Sequence, residues 1–156
     1  MPYPESVILL AAMTAIAAAT LWRPAMRFWL HLRFEKARAS FHRERERLEA
    51  RLVKQITVPV VTGEMEWLDC EFEDQVTFLR DRQSGAFVAL VAILLGPQTP
   101  WVVLPDEESR GRGVAIFRFH KNHWVADPKV HMNLTPDEVV QEFGGRMELV
   151  RRETGQ

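Results

Sequence analysis

One cysteine, Cys70, is the chain's whole supply, so an internal disulfide is excluded and nothing points to an oxidising compartment. Flanked by Leu68 and Phe72 at strand spacing, it reads as a small buried hydrophobe. Missing too are the H-E-x-x-H and C-x-x-C metal patterns, a G-x-S-x-G nucleophile elbow and the long glycine-rich loop with Lys-Ser/Thr that cradles phosphate. Gly111-Arg112-Gly113 is too short to replace that loop. No catalytic residue and no cofactor site are therefore expected. The one concentration of metal-ligand types is His120, His123 and His131 with Asp127, and because His120 and His123 flank a turn their rings need not converge; no metal is assigned.

Charge is absent from residues 6–22, SVILLAAMTAIAAATLW. As a helix rising about 1.5 Å per residue, this run reaches roughly 25 Å, near the thin end of what crosses a hydrocarbon core of about 30 Å. The preceding MPYPES has no Lys or Arg, which argues against a cleaved signal, despite the small run Ala17-Ala18-Ala19. A buried helix of a soluble domain would present a polar stripe, and only Thr14 and Thr20 interrupt this one. The reading is a membrane anchor, with no ionisable residue inside it to serve a proton relay or ion path.

Tyr3 precedes the span, and Trp22, Phe28 and Trp29 follow it with Arg23 and Arg27, the mixture that suits a headgroup layer. Basic residues lie on the C-terminal side alone: Arg23, Arg27, Arg33, Lys36 and Arg38. For an inner or plasma membrane this predicts a single pass, the N-terminus outside and the C-terminal domain in the cytoplasm.

Pro24 is expected to kink the exit or start a fresh amphipathic helix over residues 24–55. From Phe34 to Gln55 there is no Gly or Pro, and Phe34, Phe41 and Leu48 recur every seven residues with Ala37 between and Leu52 and Ile56 beyond. This thin apolar stripe suits packing on the C-terminal domain, on a second copy, or on another protein. Trp22, Phe28, Trp29, Phe34, Phe41 and Leu48 are the expected partner-binding residues. The overall charge of −1 divides into +5 over residues 1–56 and −6 over the remainder. Beside a membrane the positive half has a lipid-facing explanation, and nucleic acid is not an expected partner.

Residues 56–150 read as a small α+β domain of mainly antiparallel strands with one short helix. The expected strands are ITVPVV, two segments within residues 64–80 broken by a turn at Glu73-Asp74-Gln75, the doubly covered AFVALVAILL, TPWVVLP, and a hairpin in which VAIFRFH and HWVAD meet at Lys121-Asn122. In LTPDEVVQEFGG, Thr135 is the N-cap, Pro136 the first helical residue, Glu138 the closure of a capping box and Leu134 the staple to Val139, with Gly144 at the end. RMELV adds a last strand, and residues 151–156 form a flexible tail. The acidic residues Glu64, Glu66, Asp69, Glu71, Glu73 and Asp74 make a solvated rim.

The functional expectation is a membrane-anchored, non-catalytic accessory or assembly protein. Its partners are the lipid bilayer and either an integral membrane complex or its own copy. The alternative is a tethered domain that binds a small apolar ligand or lipid, with residues 87–95 as the wall.

Overall fold

The computed structural model describes residues 4–56, 67–97 and 111–154. These form a long helix α1 (Pro4–Ile56), then strands β1 (Trp67–Asp81), β2 (Phe87–Pro97), β3 (Gly111–His120), β4 (His123–Ala126) and β5 (His131–Met132), a short helix α2 (Pro136–Glu142), a 3-10 turn (Gly144–Arg146) and strand β6 (Met147–Glu153). The class is α+β with an antiparallel sheet. Two compact units divide the chain, Met1–Arg38 and Ala39–Gln156.

The first unit is helical throughout its described length, and α1 passes through Pro24 instead of restarting there. Pro24 removes one donor and leaves the Thr20 carbonyl without its usual partner. Good helix formers on both sides sustain the helix across that single loss.

In the second unit the sheet order is β4-β3-β2-β1-β6, with β5 pairing β3 beside β4. β2 lies at the centre, which is why its run of apolar residues has no polar alternation: one set of side chains faces each layer. On one face Phe41 of α1 stands edge-on to Phe78, Phe117 and Trp124, with ring centroids 5.6, 5.5 and 5.0 Å away. On the other face Leu79, Val88, Leu90, Val114, Ile116 and Met147 enclose Val139 of α2, and Leu134, Val140 and Phe143 pack around them. Burying a side chain such as Phe41 or Leu90 contributes about 1.5–3 kcal/mol, so each layer adds several such increments.

The expected turn at residues 73–75 is not a turn. β1 continues through it, with Phe72 opposite Ile93 and Val76 opposite Val91, so two extra residues bulge from the ladder. Arg45 explains why the bulge is tolerated: its guanidinium donates to the carbonyls of Glu73 (2.6 Å) and Asp74 (3.3 Å), which give up regular pairing. A second difference lies at the C-terminus. Arg151, Arg152 and Glu153 belong to β6, where they pair with Phe78, Thr77 and Val76, instead of a flexible tail.

Local signals elsewhere read as expected. Thr135 accepts from the Glu138 amide, the Glu138 carboxylate accepts from the Thr135 amide at 2.7 Å, and Gly144 takes a positive φ of 58° after the helix. Lys121 and Asn122, with φ of 47° and 68°, form the two-residue turn that joins β3 to β4. The expected strands ITVPVV and TPWVVLP lie outside the described residues, apart from Ile56 at the end of α1.

Candidate membrane and partner interface

The first unit carries the largest exposed apolar surface among the described residues. From Val7 to Leu32, α1 exposes Val7, Ile8, Leu9, Leu10, Met13, Ile16, Leu21, Trp22, Met26, Phe28, Trp29 and Leu32. By length and composition this is one helix able to cross a membrane, and none of its apolar window is buried within the chain. A core helix of a soluble domain would be covered, so that reading does not hold for this segment. The stretch from Val7 to Leu32 measures about 38 Å along the axis, longer than a hydrocarbon core of about 30 Å and close to a bilayer with its interfacial layers.

Thr14 and Thr20, the two hydroxyls of the span, donate back to carbonyls of the preceding turn: Thr14 to Leu10 and Ala11, Thr20 to Ala17. Both polar groups are thereby satisfied inside the helix, as an apolar surrounding requires. At the C-terminal end of the apolar surface the Arg33 guanidinium lies over the Trp29 ring, 4.8 Å from its centroid.

Of the six expected partner-binding residues, Trp22, Phe28 and Trp29 are exposed. Phe34, Phe41 and Leu48 are not, with 3%, 0% and 1% exposure. Of the surfaces expected for this stripe, Phe41 meets the chain's own domain, its ring packed edge-on against Phe78, Phe117 and Trp124 of the sheet. A seven-residue apolar stripe specifies burial but not the surface that supplies it.

The histidines are dispersed. His120 and His123 sit exposed at the end of the β3–β4 hairpin. His131 lies 3.4 Å from Glu142 and beside the Phe143 ring, while Asp127 accepts from Arg118 at 3.2 Å and from the Lys129 amide. Among the described residues no three His, Cys, Asp or Glu side chains form a metal-sized group. Cys70 is partly exposed on β1 opposite Leu95, not fully buried.

Compared with family models, curated proteins and solved structures, the chain matches none.

Asp81 is the titratable group that the sequence reading overlooked. It is 5% exposed and closes the β1–β2 turn: its carboxylate accepts from the Gln83 amide (2.8 Å), the Ser84 amide (3.4 Å) and Arg146 (3.0 Å), and its backbone binds Gly85 and Ala86. The Gln83 amide first, then Arg146 and the Ser84 amide, hold its pKa below the ordinary 3.8 against the opposing effect of burial. Glu138 is likewise lowered, by the Thr135 amide and then the Thr135 hydroxyl. Both carboxylates organise backbone. The visible signal for Asp81 was its place four residues before Gly85 in DRQSG.

Proposed function

We propose that this chain is a single-pass membrane protein of accessory or assembly type, non-catalytic, with its N-terminus outside and its α+β domain in the cytoplasm. It contacts a partner membrane complex. The observation that carries this reading is the contrast between an uncovered apolar helix over residues 7–32 and a domain that buries most of its described large apolar residues in its own two layers, leaving Val125, Met132, Leu149 and Val150 exposed. Orientation follows from Arg23, Arg27, Arg33, Lys36 and Arg38, all on one side of the span.

The described polar side chains support the non-catalytic part. Asp81, Asp127, Glu138 and Arg45 each bind backbone of a turn, cap or bulge. On this reading Trp22, Phe28 and Trp29 meet lipid or partner, whereas Phe41 and Leu48 hold the domain's own structure. A ligand wall on β2 has less support, because Phe87, Val88, Leu90, Val91, Ile93 and Leu95 are all buried.

A mild-detergent pull-down from the native membrane tests the proposal, run with the full chain and with residues 1–33 deleted. A stoichiometric partner that is lost on deletion places recognition in the anchor. The same partner retained by the shorter chain moves recognition to the domain. Recovery of the full chain as a monodisperse monomer, with nothing bound, would count against an accessory role.

A further inference from the structure

The basic residues that follow the span stand at the edge of the exposed apolar surface of α1. Arg23, Arg27 and Lys36 have no carboxylate partner among the described residues, and Arg33 rests on the Trp29 ring. The next arginine, Arg38, already pairs with Glu35 at 3.3 Å, and Arg45 pairs with Glu49 at 2.6 Å while donating to the bulge carbonyls. Arg43, Arg47, Arg51 and Lys54 further along α1 likewise have no carboxylate partner among the described residues, so what sets Arg23, Arg27, Arg33 and Lys36 apart is their place at the margin of the exposed apolar surface that ends at Leu32.

Helix geometry groups these charges. Arg23 and Arg27 are one turn apart on one side, and Trp22, Trp29, Arg33 and Lys36 follow a second side about 120° away. From Arg23 to Arg33 the rise is about 15 Å, which runs from the end of the uncharged span through an interfacial layer. Each guanidinium presents a planar fork suited to phosphate, and the adjoining indoles suit the apolar edge of the same layer.

On the membrane-anchored reading above, we infer that Arg23, Arg27, Arg33 and Lys36 form a collar that binds the phosphate headgroups of anionic phospholipids in preference to zwitterionic ones. The occupant is lipid because the charges sit at the margin of the apolar surface on two sides of the helix, as a surrounding headgroup layer demands. Zwitterionic lipid offers each phosphate with its own compensating cation, so an uncompensated collar gains more from a headgroup with net negative charge.

The test uses the full chain reconstituted into vesicles of phosphatidylcholine alone and of equal parts phosphatidylcholine and phosphatidylglycerol. Spin-labelled phosphatidylglycerol and phosphatidylcholine report which lipid the chain immobilises. The expected preference for phosphatidylglycerol is about fivefold, the equivalent of one basic contact at a membrane surface, and it weakens in high salt. The combined variant Arg23→Gln, Arg27→Gln, Arg33→Gln and Lys36→Gln should bring the ratio near one, while lysine at the three arginine positions should retain most of it. Equal immobilisation of both lipids by a chain that resists alkaline extraction would overturn the collar and leave the anchor intact. Failure to insert in either vesicle would overturn both. A preference that survives in the glutamine variant would remove these arginines from the site, and its absence in vesicles, joined to loss of a native partner in that variant, would assign them to an acidic protein surface.

Discussion

Residues 7–32 and the domain that begins at Ala39 draw on the same apolar alphabet and treat it oppositely. Ile16, Leu21, Trp22 and Phe28 are each more than half exposed, whereas Leu90, Ile116, Phe117 and Trp124 are at most 1% exposed. In water the first arrangement would forgo every increment of burial that the second collects. The difference teaches that, by length and composition, the helix suits an apolar surrounding and the sheet does not, and that their apolar residues should answer differently to the same substitution.

The sharpest way to break this comparison is to truncate one large residue in each region. Phe41→Ala removes the ring that touches Phe78, Phe117 and Trp124, and is expected to destabilise the domain by about 3–5 kcal/mol. Phe28→Ala should leave the domain's unfolding within about 0.5 kcal/mol of the parent. Denaturant titration of the full chain in detergent reads both. Equal losses would mean that the exposed helix shares the domain's cooperativity.

A charge inside the span should reverse the pattern. Ile16→Arg is expected to cost about 2.5–3.5 kcal/mol of membrane insertion while sparing the fold, measured by alkaline extraction beside the same denaturant titration. Next in size is the helix cap: Thr135→Ala removes a hydroxyl that accepts from the Glu138 amide, for an expected loss of about 1 kcal/mol confined to the domain.

Acid should act on the domain alone as well. Asp81 has a folded pKa below its ordinary value of 3.8, so the unfolded chain takes up the proton first. Its contribution is complete above that ordinary value and is lost as pH falls through the lowered folded value. Glu138 acts with the same sign. Stability measured against pH should therefore fall below about pH 4, and Asp81→Asn should give a lower but flatter acid limb. An unchanged limb would take Asp81 out of the acid response.

Much of this fold was legible because its signals are local. Thr135, Pro136 and Glu138 specify a helix start within four residues, and Lys121-Asn122 separates two alternating runs that can meet only as a hairpin. The missed features depend on partners far along the chain. Glu73 and Asp74 look like turn residues until Arg45, twenty-eight residues earlier, takes their carbonyls. Glu153 looks like a tail until His42 meets its carboxylate at 2.8 Å and Val76 its backbone. Exposure was half legible for a related reason: Trp22, Phe28 and Trp29 follow an uncharged span and are exposed, whereas the Phe41 and Leu48 stripe carries no mark of whose surface will cover it.

The central claim is tested most directly by the accessibility of a tag at Gln156 to protease added outside sealed cells. The account predicts a protected tag that becomes cleavable only when the membrane is opened. Cleavage in intact cells would place the α+β domain on the outer face and contradict the proposed orientation.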